Sequence, residues 1–332
     1  MATLSLVPNN TNGSAVSRGR APSASQTSRN EAIDHLQSHL RDEVQWTQHP
    51  NEEGVHLRKN AVSVFRPANE AKGTVVMYHG FTAGPWQYKE MADELHAEGF
   101  NVYAPRMPGH GLVDSSGKPW RGDIPEASEG KVWTQFIDET ISDAQDLGAP
   151  VYTVGLSGGG GVALQSAKRH SEVKGVAAMA PFVGGDGISG MLLPVFSLVD
   201  TVTFGLFGKL LNAIPMGKAS PSADDDPTPR TPATLGQAVA MYRVGADAKE
   251  IPQPVQLLTT ANDNVSGTRA NRRRHDGGAG EAANGWYHFP AEEGVKHAML
   301  SRLENPNGAS VEKLEEIVSD FIVEGRVTDR LP

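Results

Sequence analysis

The chain has 332 residues, 39 acidic against 30 basic side chains, a net charge of −9 and no cysteine. That length suffices for one large α/β core carrying an insertion. The acidity argues against a general nucleic-acid binder, and the missing thiols exclude disulfides, thiolate metal sites and cysteine nucleophiles.

Residues 1–30 are rich in Ser, Asn, Thr, Arg and Ala and are expected to form a disordered tail. Its apolar piece, Leu4 to Val7, ends at Pro8 and is too short for a secretory leader. The Ser and Arg content, with no acid before Glu31, also fits a transit peptide; an untargeted terminus on a cytoplasmic protein is the expectation. No run is long and apolar enough to span a bilayer. Glu31 to Val44 places Ile33, Leu36, Leu40 and Val44 on one helical face. Val55 to Phe65 alternates apolar and polar residues in its later part, which predicts the start of an edge hairpin. Strands are predicted at Gly73–Tyr78, Phe100–Ala104, Val151–Leu156 and Val173–Ala180, and helices over Trp86–Ala97 and Val132–Leu147, each stopped by a glycine. This alternation predicts a mostly parallel sheet covered by helices on both faces.

The rhythm breaks after Val183 and resumes at Val255–Thr260, a helical region near Arg269–Arg274, the strand Trp286–Phe289 and a final helix over Val311–Val323. Residues 31–183 and 246–332 are therefore read as two parts of one core, and residues 184–245 as an inserted helical lid. The insertion sits where the ends of α/β strands bind ligands. Its apolar side chains, Leu192, Phe196, Leu198, Leu206 and Leu210 among them, suit a lid over an apolar pocket and also suit plain packing on the core.

Gly155-Leu156-Ser157-Gly158-Gly159 joins an apolar strand to a helix-compatible run, the pattern of a nucleophile elbow. The turn strains the serine backbone and leaves no room for side chains at its flanks, so glycine stands there. A serine needs a base, and the base needs a third group to fix its tautomer. In hydrolases of this architecture the chain order is serine, acid, histidine. Asp263 follows the strand Val255–Thr260 in a turn and is the first choice of acid, although an Asn-Asp-Asn loop also explains an aspartate there. Asp186 and Asp200 compete. Of the two late histidines, His288 lies inside a strand and His297 in a loop that can return over the elbow, so His297 is the expected base. Backbone N–H groups of Gly158 and Phe81 are the expected oxyanion donors, with His79 holding the Phe81 loop as a structural residue.

The ordered set His79-Gly80-Phe81-Thr82, Pro105-Arg106-Met107-Pro108-Gly109-His110-Gly111, Gly155 to Gly159, Asn262 to Val265 and Lys296 to Leu300 resembles the α/β-hydrolase superfamily. Within it the chain is similar to bacterial carboxylesterases and monoacylglycerol lipases, over about residues 73–323. The resemblance implies a Ser157–His297–Asp263 triad, oxyanion donors Phe81 and Gly158, a lid between core strands, and a structural turn at Pro108 to Gly111. Residues 1–48 fall outside the pattern, and residues 267–284, with Arg272-Arg273-Arg274, exceed a minimal core. The arginines read as a solvated helix face or as a site for an acidic partner.

The expected function is hydrolysis of a small-molecule carboxylic ester, of a medium apolar acyl chain or of monoacylglycerol type, through an acyl-serine, with no metal or organic cofactor. Thioesters, amides, lactones and acyl transfer use the same machinery. Two other classes compete. Gly158 to Ala163 weakly fits a dinucleotide fingerprint but lacks the acid after the next strand. A non-catalytic ligand-binding protein on this fold is the second, and the complete set of triad candidates argues against it.

Overall fold

The computed structural model describes residues 26–120, 123–126, 129–148, 150–185, 187–203, 206–216, 233–277, 284–302, 304–305 and 308–331. The chain opens with α1 (Gln26–Trp46), β1 (His56–Leu57), β2 (Val64–Arg66), β3 (Thr74–Tyr78), α2 (Lys89–Ala97), β4 (Asn101–Ala104) and β5 (Leu112–Val113). It continues through α3 (Gly130–Asp146), β6 (Val151–Leu156), α4 (Gly158–Arg169) and β7 (Val173–Met179). Then follow α5 (Gly187–Val202), α6 (Leu206–Leu211), β8 (Pro215–Met216), β9 (Ala233–Thr234) and α7 (Leu235–Asp247). The core resumes with β10 (Val255–Thr260), α8 (Thr268–Gly277), β11 (Gly285–Phe289) and α9 (Ala309–Glu324).

Seven strands form one sheet in the order β11-β10-β7-β6-β3-β4-β2, parallel except for β2, which pairs antiparallel with β4 at the edge. This is the mostly parallel, doubly covered sheet that the alternation predicts, and the α/β-hydrolase fold that the resemblance implies. Side chains of β3 alternate across the sheet. Val75 and Met77 pack with Met91 and Leu95 of α2 and with Leu314 and Phe321 of α9. Val76 and Tyr78 pack with Trp133 and Ile137 of α3 and with Val162 and Leu164 of α4. Both faces are covered, so the central strands read as continuous apolar runs.

Residues 326–330 lie along the free edge of β11: Arg330 donates its N–H to Trp286 (2.8 Å) and accepts that of His288 (2.8 Å).

Two expectations are corrected. The first helix begins at Gln26 and not Glu31, so the last five residues assigned to the tail are helical; Arg29 anchors this turn on the Ala68 carbonyl. Residues 1–25 lie outside the described residues. Val55 to Phe65 is not the start of a hairpin: β1 pairs with β5, and β2 with β4. Alternation reports which side chains face inward, not which strand lies alongside.

Between β7 and β10 the chain leaves the sheet. Leu193 of α5, Leu211 of α6 and Val239 and Ala240 of α7 form a small core of their own. Residues 217–232, which include the Pro/Asp/Thr stretch from Ser220 to Pro232, lie outside the described residues. Among the described residues, α5 and α6 expose apolar side chains on their other side: Leu198 and Leu210 are each 64% exposed and Leu206 70%. Arg272 and Arg273 stand exposed on α8, as a solvated helix face requires. Among the described residues no helix is long and apolar enough to cross a membrane.

Candidate active site

Ser157 sits between β6 and α4 with φ 56° and ψ −118°, a conformation L-residues avoid. The neighbouring backbone holds it there. Its N–H donates to the Met179 carbonyl (2.8 Å), and its carbonyl accepts from the Phe182 N–H (2.9 Å). The flanking glycines are required by close approach. A Cβ on Gly155 would lie 2.1 Å from the Gly159 oxygen, and one on Gly159 would lie 1.9 Å from the Tyr78 oxygen.

His297 lies in the loop between β11 and α9, with Nε2 2.8 Å from Ser157 Oγ. Its Nδ1 lies 2.8 Å from Asp263 Oδ1. That approach is short but angled off a linear hydrogen bond, and such bonds commonly tighten only when substrate is bound. The Asp263 carboxylate is 2% exposed. It accepts the N–H of Val265 (2.8 Å) and of Ser266 (3.0 Å), and the Ser266 hydroxyl bonds its second oxygen. Burial works against the charged carboxylate. The hydrogen bond and charge of His297, with the Ser266 and Val265 donors, outweigh it and hold its pKa below the ordinary value. Asp263 is thus both the turn-forming aspartate of its loop and the partner of His297.

The structure therefore brings Ser157, His297 and Asp263 together, and it places their rivals elsewhere. Asp200 is buried in an ion pair with Arg243 (2.9 Å) among the inserted helices. Asp186 lies outside the described residues. His288 stays on β11, its Nδ1 2.8 Å from the Thr259 hydroxyl. His79 is fully buried, with Nε2 accepting the Met107 N–H (3.0 Å) and Nδ1 facing the Gly80 carbonyl (2.9 Å). Burial pushes its pKa well below the usual histidine range.

Phe81 and Gly158 abut: a Cβ on Gly158 would lie 2.9 Å from Phe81 Cβ and 3.0 Å from Met241 of α7. Gly158 is the first residue of α4, where N–H groups have no partner within the helix. Among the described residues no acceptor takes the N–H of either Phe81 or Gly158.

Three supporting residues escape a reading of the sequence. The Thr260 hydroxyl donates to the Val295 carbonyl (2.8 Å) and accepts from the Asn262 N–H (3.2 Å), tying the aspartate loop to the histidine loop. Asn305 accepts the Lys296 N–H (2.7 Å) and donates to the Ala298 carbonyl (2.9 Å), bracketing His297. Ser266 completes the shell of Asp263. Only Ser266 carries a local signal, an Asx-type spacing of three residues.

The sequence model of the serine aminopeptidase (S33) family matches residues 69–288. The chain belongs to the S33 serine aminopeptidase family. This S33 chain is 28% identical to the thermostable monoacylglycerol lipase of Bacillus sp. (strain H-257) over 104 residues, which span 31% of the chain and 38% of that relative. Its fold is that of the monoacylglycerol lipase of Paleococcus ferrophilus, at TM-score 0.55 and 22% identity over 80% of this chain and 98% of that one. It is also similar to a soluble variant of the Saccharomyces cerevisiae monoglyceride lipase solved with a substrate analog, at TM-score 0.52 and 17% identity over 81% and 95% of the two chains.

Proposed function

We propose that this S33 hydrolase cleaves carboxylic esters, of medium acyl chains or of monoacylglycerol type, through an acyl-serine intermediate. The observation that carries the reading is the line Ser157 Oγ, His297, Asp263, with 2.8 Å at each step. In the first half-reaction Ser157 Oγ bonds the ester carbonyl carbon while His297 Nε2 takes its proton. The carbonyl electron pair moves onto oxygen, which accepts the N–H groups of Phe81 and Gly158. The intermediate collapses, the C–O bond to the alcohol breaks, and His297 returns the proton to the leaving oxygen. Water then repeats the sequence on the acyl-serine and releases the acid. Each oxyanion donor is worth about 3 kcal/mol in such a site.

The apolar substrate class rests on two supports. One is the Bacillus relative, a monoacylglycerol lipase. The other is the helical insertion, which we read as a lid: Met241 stands against Gly158, and apolar side chains continue outward along α5 and α6.

The test is hydrolysis of p-nitrophenyl esters from acetyl to palmitoyl, with Ser157→Ala alongside. A chain-length optimum that falls by about 10⁶ in the variant is the expected result. No turnover of any ester would overturn the ester reading. No labelling of Ser157 by a fluorophosphonate in addition would favour a non-catalytic binding protein.

A further inference from the structure

The turn that carries Phe81 is wired to a part of the chain outside the family match. Glu43, on α1, is only 3% exposed. Its Oε2 accepts the Ser63 N–H (2.7 Å) and its Oε1 accepts Arg106 Nε (2.9 Å). Arg106 is held on every side: its N–H donates to Ser63 Oγ (2.9 Å), its Nη1 to the His110 carbonyl (3.2 Å), and its guanidinium lies 5.3 Å from the Trp46 ring centre.

The next residue passes the constraint on. The Met107 N–H donates to His79 Nε2 (3.0 Å), so the proton of this buried imidazole belongs on Nδ1, which donates to the Gly80 carbonyl (2.9 Å). Gly80 directly precedes Phe81. The His110 ring fills the remaining space, 5.0 Å from the His79 ring and 5.7 Å from that of Phe81. Gly109 and Gly111, at φ 74° and 77°, fold the loop onto Asp123 and Ala61 so tightly that a Cβ at either would come within 2.2 Å of them.

A buried carboxylate is costly unless every partner is in place. Burial pushes the Glu43 carboxyl up, yet His39, Arg106 and the Ser63 N–H together bring it down to about 2. The charge is kept where it grips the loop that aims Phe81.

We propose that Glu43, on the N-terminal helix, is a positioning residue for the oxyanion donor Phe81, acting through Arg106 and His79. It touches neither substrate nor the reacting atoms. The claim deepens the esterase reading and rests on it for its meaning. A donor misplaced by about 1 Å loses up to a hundredfold in rate, so Glu43 governs kcat more than KM.

The experiment uses the full chain with Glu43→Gln, Glu43→Ala and Arg106→Lys. Competent sites in each are counted by fluorophosphonate titration. Then kcat and KM are measured on p-nitrophenyl butyrate, together with Ki for a trifluoromethyl ketone, whose tetrahedral adduct puts an oxyanion on Phe81 and Gly158. The expected result for Glu43→Ala is a kcat per titrated site lower by about tenfold to a hundredfold, KM within about twofold, and Ki raised in step with the fall in kcat/KM. Glu43→Gln, which keeps an acceptor oxygen, falls between. Unchanged kcat and Ki per site, with only a lower Tm, would overturn the claim and make Glu43 a stability residue. Should Glu43→Ala fail to fold, Glu43→Gln and Arg106→Lys decide by the same criteria. Should the wild-type chain label but hydrolyse no ester, the esterase reading fails by itself. The second-order labelling rate then replaces kcat, and equal rates across the variants overturn the positioning claim.

Discussion

Ser157 Oγ and His297 Nε2 stand 2.8 Å apart although 140 residues separate them in the chain. Two strands also lie between their elements, since β6 and β11 are separated by β7 and β10. The imidazole crosses that distance because its loop is pinned at both ends, by Thr260 at Val295 and by Asn305 around Lys296 and Ala298.

Asp263→Asn removes the carboxylate charge beside His297 Nδ1 and lets an amide N–H face the ring, so the tautomer is no longer fixed while the side-chain shape is kept. By analogy with serine proteases kcat falls by about 10⁴. Ser266→Ala leaves Asp263 Oδ1 with its Val265 and Ser266 N–H donors and costs about tenfold or less. Steady-state kinetics normalised to titrated sites check both.

Asp200→Ala separates a structural acid from one that serves the base. It leaves the guanidinium of Arg243 without the carboxylate 2.9 Å away and lowers stability by about 3–5 kcal/mol. Turnover per folded site, measured well below the melting temperature, stays within a few-fold of wild type. A loss as large as that of Asp263→Asn would exchange the roles of the two residues.

Gly159→Ala forces a Cβ to within 1.9 Å of the Tyr78 oxygen, so β3 or α4 must shift. We expect loss of soluble protein or of activity. Gly130→Ala is the control: a Cβ at the start of α3 meets nothing within 4 Å, and helix propensity favours alanine by up to about 1 kcal/mol. Its Tm stays level or rises.

His110 gives the site a pH dependence of known sign. Burial lowers its pKa from 6.5 to about 4. Above pH 6.5 it is neutral in both folded and unfolded chains, and its contribution is fully present. As the pH falls the unfolded chain binds the proton first, so stability drops until the folded chain also protonates near pH 4. The loss over that window is about 3 kcal/mol. Urea unfolding of wild type and His110→Gln at pH 7.5 and pH 4.5 should show a steeper fall for wild type.

The fold and the grouping of the candidate site residues are legible for different reasons. Continuous apolar runs such as Val151 to Leu156 announce buried parallel strands, and a glycine-flanked serine after such a run announces its own strained turn. Chain order leaves two late histidines, and the loop position of His297 favours it over His288, because a residue within a strand cannot reach past the sheet end. The supporting shell was not legible. Asn305 and Thr260 act through backbone carbonyls brought near them only by the tertiary fold, and Glu43 looks in sequence like any polar residue of an amphipathic helix. Its burial depends on Arg106, 63 residues away. The helix start was missed because Arg29 finds its acceptor at Ala68, a contact no local pattern contains.

The placement of residues 326–330 against β11 bears on self-association. A sheet ending in an apolar strand offers a ladder of unsatisfied N–H and C=O groups to any extended segment. Here Arg330 takes up the groups of Trp286 and His288, and its guanidinium pairs with Glu293 (2.6 Å) beside the Tyr287 ring. A chain shortened after Gly325 would bare that ladder, and a second copy could dock there strand to strand. Residues 326–330 thus occupy this one edge of the sheet from within the chain.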